Sequence, residues 1–167
     1  MDFELVYTSP DGDVFDLLDG SSGGPFVEVD TLSGFVGEFE DTVVSSPGVP
    51  GGRVDFRDRV VAPMTGSFTL VVPSRESWGG VREAFSTCRY GTLRLVSGGR
   101  VCETPVRLSV ALPSPGVRPG VGSRVQVELV SDGDGGGVWG VREVSRENVA
   151  TVTNWGDVPV WPVVVWE

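Results

Sequence analysis

Short runs of alternating apolar and polar residues extend over most of the chain, separated by clusters of glycine and proline. Strict alternation is typical of a strand that buries one face, and glycine and proline favour the tight turns between strands. The clearest run, residues 106–112, belongs to a predicted hairpin over 92–113 with the sequence SGG near its tip. Similar runs are found at residues 3–8, 14–18, 26–32, 66–73 and 124–132. The chain is therefore predicted to be mainly β. The side chains predicted to face the core are Phe3, Leu5, Tyr7, Phe68, Leu70, Val72, Val106, Leu108, Val110, Leu112, Val125, Val127 and Leu129.

One segment, residues 75–88, has the apolar spacing of a short helix instead. Trp78, Val81 and Phe85 follow one another at intervals of three and four, which places them on one face of a helix. Ser74 precedes the segment as a predicted N-cap. Two internal glycines each cost a helix about 1 kcal/mol relative to alanine. Packing against the sheet must therefore hold this helix.

The stretch SSPGVPGGRVDF, residues 45–56, combines a loop rich in proline and glycine with a charged strand. Proline fixes φ and glycine accepts positive φ, so the loop is stiff and turns sharply. In the strand that follows, Arg53, Asp55, Arg57 and Arg59 lie on one face, and with Asp58 on the other face the charges along the strand alternate in sign. The stretch predicts a rigid turn that leads into a strand with one charged face.

Charge and composition exclude several functions. The 167 residues are 40% hydrophobic, enough for the core of one domain, and the formal net charge is −10. Such an acidic chain lacks the basic surface that binds nucleic acid. All 13 basic residues are arginine and none is histidine, so a catalytic Ser-His pair and a histidine-ligated metal are both excluded. We expect no enzyme activity, no metal and no cofactor.

Cys88 and Cys102 are the only cysteines. The acidic amino terminus does not resemble a signal peptide, and no apolar run is long enough to span a bilayer, so folding in a cytoplasm without membrane contact is expected. There the two thiols are expected to be reduced and packed as small apolar groups, with a disulfide between them as the alternative. Two cysteines alone cannot form a structural zinc site.

Three of the five tryptophans, Trp155, Trp161 and Trp166, lie close together in the last segment, beside two prolines. One edge strand cannot bury three such side chains. This segment is predicted to dock on its own domain, on another copy or on a following domain. Stacking of the rings on sugars is the alternative, and it would make the chain a carbohydrate-binding β-sandwich of a host-adsorption apparatus.

The order of these features resembles the N-terminal domain of the distal tail protein family of phages with long, non-contractile tails. The resemblance covers short strands, the Gly34-Phe35 pair, the glycine- and proline-rich loop before an arginine-bearing strand, one helix and a hairpin. Its most specific part is the final NWGDVPVWPVVVW, residues 154–166, which is similar to the linker strand that opens the family's second, galectin-like domain. That second domain is not among these 167 residues, so the chain is expected to be either a minimal member of the family or part of a longer protein.

The resemblance implies a β-sandwich or split-barrel domain over residues 1–150 and a C-terminal arm or first strand of a further domain over residues 151–167. It also implies that copies of the chain form a ring, a hexamer, at the tail tip of the virion, assembled in the cytoplasm of the host bacterium. The expected partners are other copies, the tail tube protein and the tip or hub proteins. DNA is expected to pass through the ring without specific binding.

Two groups of residues follow as candidates for this assembly. A stiff loop lowers the entropy cost of association, and arginines pair well with carboxylates of a neighbour, so the subunit interface is predicted at Arg53, Asp55, Arg57, Arg59, Trp155, Trp161 and Trp166. A bore that passes DNA should repel phosphate, so the residues predicted to line it are Asp11, Asp13, Glu38, Glu40, Asp41, Asp132 and Asp134. The alternatives are a loop that only turns its own hairpin, and acidic turns that only keep the protein soluble.

Other chemistries fit the sequence less well. The segment DGDGGG, residues 132–137, has spaced carboxylates but lacks the twelfth-position glutamate and flanking helices of an EF-hand. Paired carboxylates in EFED, residues 38–41, are expected on the surface of any small acidic protein and do not by themselves indicate a glycosidase.

Overall fold

The computed structural model of the protein describes residues 3–48, 50–54, 59–98, 100–113 and 122–140, together with the backbone of 142–146 and 149–153. These residues form fourteen strands and one α-helix. The elements in chain order are β1 Phe3–Thr8, β2 Val14–Asp16, β3 Phe26–Val27, β4 Ser33–Gly34, β5 Phe39–Glu40, β6 Val43–Val44, β7 Arg53–Val54, β8 Val60–Val61, β9 Met64–Val72, α1 Arg75–Ala84, β10 Gly91–Ser97, β11 Arg100–Leu108, β12 Ser123–Ser131, β13 Arg142–Arg146 and β14 Val149–Thr153.

An antiparallel sheet of eight strands forms the body of the protein. Its order is β2-β1-β10-β11-β12-β9, and β3 and β4 both pair with the far side of β9. Strand β11 pairs with β10 over the whole length of β10, but with β12 only through Arg107 and Leu108. The sheet is therefore two halves joined at the end of β11, and it folds over into a nearly closed barrel or sandwich. The predicted mainly β fold with one helix is confirmed.

The core lies between the two halves and is closed by helix α1. Period-two alternation holds in β9 and β12, whose predicted inward side chains are all buried. Helix α1 adds Trp78 and Val81, and the residue that caps its C-terminus adds Phe85, so all three predicted side chains are buried. The Phe85 ring stacks on Tyr7 with 4.1 Å between centroids, and the Tyr7 hydroxyl donates to the carbonyl of Ala84 at 2.9 Å. This bond attaches the last turn of the helix to strand β1.

The helix is shorter than predicted and ends at Ala84, four residues before position 88. The predicted cap is correct, since Ser74 Oγ accepts from the amide of Ser77 at 3.1 Å. At the other end, Ser86 Oγ accepts from the amides of Cys88 and Arg89, both at 3.1 Å. A serine that bonds to amides two and three residues ahead offers the backbone a turn in place of a helix.

Several predicted strands are also shorter than the sequence pattern indicated. Strand β11 ends at Leu108, so Val110 is 57% exposed rather than in the core. Of the predicted strand 26–32, only Phe26–Val27 forms a strand, because Val29–Thr31 form a 3-10 turn. Phe3, at the very start of β1, is 40% exposed. The alternation of apolar and polar residues overestimates the length of a strand where the chain turns away from the strand with which it pairs.

The outer edge of β9 is covered by three short pieces of chain. Strand β3 pairs with Leu70 and Val71, and β4 pairs with Gly66 and Ser67. Between them, Thr31 Oγ1 accepts from the amide of Thr69 at 2.8 Å. The amide of Glu28 in turn donates to the Thr69 carbonyl at 3.0 Å, so a side chain bridges the gap between two strands of two residues each.

No disulfide joins Cys88 and Cys102 in the structure. Within the described residues, no helix combines the length and the apolar character needed to cross a bilayer. The final hairpin pairs β13 with β14, and residue 150, the predicted end of the first domain, lies inside β14. The division into 1–150 and 151–167 stays a prediction.

Candidate assembly surface

A long hairpin leaves the body of the protein between β4 and β9. We call it the arm, residues 39–61. Two short ladders build it: Phe39–Glu40 pairs with Val60–Val61, and farther out Val43–Val44 pairs with Arg53–Val54. The proline- and glycine-rich loop of the sequence analysis therefore lies at the far end of this hairpin. The loop does turn its own hairpin, and its contact with another subunit stays a prediction.

Exposed apolar side chains are concentrated on and beside the arm. Ten large apolar residues are exposed among the described residues, and five of them lie in the short segment 36–60. These five are Val36 at 63%, Phe39 at 37%, Val43 at 62%, Val44 at 58% and Val60 at 60% exposed. The other five are scattered over the body, so the arm carries the main apolar surface of the described chain.

Both faces of the outer arm are exposed. Successive side chains of a strand point to opposite faces, so Val43 and Val44 lie on opposite sides of the ribbon, and both are more than half exposed. A two-stranded ribbon with neither face covered is only marginally stable in water. Large groups of exposed apolar side chains are a common feature of protein surfaces that bind other proteins.

Sequence analysis selected the charges of this hairpin and missed its valines. The signal was present in the two Val-Val pairs, Val43–Val44 and Val60–Val61, which break the alternation of polar and apolar residues. Adjacent apolar residues in a strand require cover on both faces. A ribbon of two strands supplies cover on neither.

The predicted interface arginines differ in their surroundings. Arg59 binds Asp41 of the same chain across the arm, with Nε 2.7 Å from Oδ1, and its guanidinium lies 5.4 Å from the centre of the Phe39 ring. Arg53 is exposed opposite Val44. Arg59 therefore braces its own arm. Other predicted interface residues lie outside the described residues, namely Asp55, Arg57, Trp155, Trp161 and Trp166.

Two of the predicted acidic turns lie side by side on the body. Arg89 donates to both carboxylate oxygens of Asp11 at 2.7 Å, and the neighbouring Tyr90 donates to Oδ1 of Asp132 at 3.0 Å. Arg107 also holds Asp132, through Nε at 2.9 Å and through Nη2. Hydrogen bonds from Arg89 lower the pKa of Asp11, and those from Arg107 lower the pKa of Asp132. Both carboxylates are ionised, but their charge is balanced within the chain.

The seven predicted channel residues therefore fall into two groups. Asp11, Asp41 and Asp132 form ion pairs within the chain. The other four are exposed and form no ion pair within the described residues; they are Asp13, Glu38, Glu40 and Asp134. Of the seven, only this second group carries negative charge that no described residue balances, and two of its members, Glu38 and Glu40, flank Phe39.

The described residues form no metal site. No group of three or more acidic or cysteine side chains lies close enough together to hold an ion in this part of the chain. The calcium interpretation of residues 132–137 also finds no support, since Asp132 is used by Arg107 and Tyr90.

The sequence matches no protein-family model and no curated protein. The structure, in contrast, matches solved phage proteins. A chain of the phage p2 baseplate in its activated conformation with Sr superimposes with a TM-score of 0.60 at 13% identity, covering 87% of this chain and 48% of that one. The corresponding baseplate with Ca gives 0.58 at 11% identity, with coverages of 87% and 48%.

The Dit protein of phage SPP1 gives a TM-score of 0.53 at 14% identity, covering 86% of this chain and 54% of that one. It is described as a paradigm of the hub adsorption apparatus of phages that infect Gram-positive bacteria. The fold is that of phage baseplate and hub proteins. The predicted resemblance to distal tail proteins is thus confirmed at the level of the fold, and the chain spans about half the length of these relatives.

Proposed function

We propose that the protein is a structural, non-catalytic component of a phage tail tip and that copies of it form a ring, a hexamer, through the arm. The observation that carries this proposal is the exposure of valines on both faces of the outer arm. The similarity in fold to baseplate and hub proteins supports the location in a virion tail.

The shape of the arm favours a ring over a simple pair. An arm that reaches onto a different surface of the next copy makes a heterologous contact, and a series of such contacts closes into a ring when the rotation between copies is suitable. Among the described residues nothing covers either face of the outer ribbon, and a neighbouring copy would supply that cover. Burial of apolar area at about 25 cal/mol per Å² would favour the contact.

The charge distribution suits a ring around DNA. The carboxylates of Asp13, Glu38, Glu40 and Asp134, which form no ion pair with another described residue, are proposed to face the bore, where they would repel phosphate and let DNA pass without binding. The two ends of such a ring would contact the tail tube protein on one side and the tip or hub proteins on the other. Residues 151–167 are proposed to lead toward a further domain or to dock on a neighbour.

Light scattering coupled to size-exclusion chromatography tests the ring directly. The unchanged 17.7 kDa chain is expected to elute as a hexamer, and negative-stain micrographs should show rings. Val44→Glu places a charge on the exposed arm and should give monomers. Val14→Glu is the matched control, since Val14 is 68% exposed on β2 away from the arm, and it should leave the ring intact.

Three outcomes would contradict the proposal. The proposed ring is contradicted if the unchanged chain remains monomeric at high concentration. The proposed role of the arm is contradicted if Val44→Glu and Val14→Glu change the oligomeric state equally. Selective binding to a glycan array by a monomeric chain would favour the carbohydrate-binding alternative.

A further inference from the structure

We infer that residues 131–140, the last residue of β12 and the loop that follows it, form a clamp that sets the direction of the arm, with Trp139 as its positioning residue. The loop contacts the chain on both sides of the base of the arm, at Phe35 before the outgoing strand and at Val61 and Ala62 where the returning strand ends. The consequence for assembly rests on the proposed function, while the clamp itself can be tested in a single chain.

The outgoing strand is held at Phe35. Gly34 and Phe35 both have positive φ, at 81° and 57°, and Phe35 is the one non-glycine residue with positive φ among those described. This rare conformation turns the chain away from β9. Its carbonyl accepts from Trp139 Nε1 at 2.9 Å, and its amide donates to the carbonyl of Thr65 at 2.8 Å. Trp139 thus fixes the peptide group at which the turn ends.

The Phe35 ring gives this turn a second support. It lies so close over Gly66 that a Cβ on that glycine would be 2.3 Å from two ring carbons. The ring also contacts Phe68 of the core and Trp139, with centroid distances of 6.5 and 6.4 Å. The Trp139 side chain therefore contacts Phe35 through both its N–H and its ring.

The returning strand is held at Ala62. The amide of Ala62 donates to the carbonyl of Glu38 at 2.9 Å, which closes the base of the hairpin. Gly137 packs against the other side of this residue, since a Cβ there would lie 2.6 Å from the Ala62 carbonyl oxygen and 2.7 Å from Val61 Cγ1. Gly137 has φ of 80°, a conformation that favours glycine, and the close contact with Ala62 leaves no room for a Cβ. Both features require glycine at this position.

The loop is itself anchored to the body at both ends. Ser131 Oγ accepts from the amide of Gly137 at 3.1 Å and shares a buried hydrogen bond of 2.7 Å with Thr104 Oγ1 on β11. The amide of Gly140 donates to the carbonyl of Glu103 at 2.5 Å. The clamp therefore connects the arm to β11, and chain positions just beyond it enter β13.

Fixing the arm in one direction has a consequence for association. A ring contact made by a mobile hairpin would have to order that hairpin at the moment of binding, whereas an arm already held in place avoids this entropy cost. The clamp also couples the C-terminal part of the chain to the arm. A shift of residues 131–140 would release both Phe35 and Ala62, and the arm would then be free to change direction.

Hydrogen exchange of the complete chain, followed by NMR, tests the clamp without requiring a ring. Trp139→Phe removes the N–H and keeps an aromatic ring, and the amides of Phe35 and Ala62 should then exchange about 3- to 10-fold faster, the effect expected for loss of one hydrogen bond. Amides in the middle of β9 and β12 should not change. Tyr7→Phe is the matched control: it also removes a side-chain bond to a backbone carbonyl, that of Ala84, and should leave the arm amides unaffected.

The assembly state of the same samples separates the two proposals. Unchanged exchange at Phe35 and Ala62 in both Trp139→Phe and Gly137→Ala would overturn the clamp. Faster exchange with a weakened ring supports the clamp and its role in assembly, and faster exchange with an unaltered ring overturns that role. Faster exchange in a chain that is monomeric throughout supports the clamp and overturns the ring. If Trp139→Phe fails to fold, Gly137→Ala alone provides the decisive exchange measurement.

Discussion

Arg59 and Asp41 form an ion pair across the two strands of the arm, with Nε 2.7 Å from Oδ1. Both side chains are about one-third exposed, at 32% and 36%, so the pair contributes little to the stability of the body. Its effect is local, because it joins the strands between the two ladders of the ribbon. The pair belongs to one chain, which leads to a specific expectation for charge reversal.

Reversing both charges in the same chain should preserve assembly. We expect Arg59→Glu or Asp41→Arg alone to loosen the ribbon and weaken the ring, because each places like charges opposite each other. The double variant Asp41→Arg/Arg59→Glu should recover most of the ring in light scattering. Failure of the double variant to recover it would show that Arg59 contacts a neighbouring subunit instead.

The raised pKa of the buried Tyr7 hydroxyl predicts a loss of stability at alkaline pH. Burial raises the pKa of its hydroxyl from 10 to about 12. Above pH 10 the unfolded chain ionises at this residue while the folded chain stays neutral, so the contribution of Tyr7 is full below pH 10 and is lost as the pH rises toward 12. Tyr7→Phe, which cannot ionise, should have a flatter profile over this interval and should be about 1 kcal/mol less stable at neutral pH.

Urea unfolding between pH 8 and pH 12 provides this measurement. Tyr90→Phe is a suitable control, since Tyr90 is 42% exposed. Parallel profiles for the unchanged chain and Tyr7→Phe would contradict the assignment.

Asp132 predicts the opposite behaviour in acid. Its pKa is lowered by hydrogen bonds from Arg107, so its contribution to stability is complete above the ordinary range of an aspartate and is lost as the pH falls through the lowered value. Asp132→Asn should therefore lower the melting temperature at pH 7 and have a smaller effect at strongly acidic pH. The nearby Asp134→Asn should change little at either pH, and equal effects of the two variants would refute the role of the ion pair.

Two glycines should respond to alanine in opposite directions. Gly34 has φ of 81°, and a Cβ there would lie 2.5 Å from the carbonyl oxygen of Thr65, so Gly34→Ala should destabilise the protein by about 2 kcal/mol or more. A Cβ on Gly79 in helix α1 would meet nothing within 4 Å, and Gly79→Ala should stabilise by roughly 1 kcal/mol. Thermal unfolding of both variants measures these effects, and a change in melting temperature of the same sign for both would contradict the expectation.

The strands of the core were predictable because their pattern has one physical cause. Strands β9 and β12 pair over nine positions, and each buries one face, so period two is imposed along their full length. Ser74 could be recognised as a cap from the residues after it. The alternation within one strand and the cap beside its helix both depend on residues that are close together in the sequence, so both can be recognised from the sequence alone.

The arm and the ion pairs could not be predicted in this way, because they depend on contacts between residues that are far apart in the sequence. Asp11 and Arg89 are 78 positions apart, and Trp139 and Phe35 are 104 apart. Alternation identifies which face of a strand is apolar but not which segment approaches it. The end of helix α1 was also missed, because a competing turn at Ser86 ended the helix before its apolar spacing did.

The covering of β9 by β3, Thr31 and β4 limits how the protein can associate. A bare edge strand adds a strand from any similar chain, and repetition of that step builds fibres without a defined number of subunits. Here the amide of Thr69, midway between β3 and β4, is already used by Thr31 Oγ1. A strand from another chain therefore finds no free edge at the middle of β9, and polymerisation by strand addition along this edge is blocked.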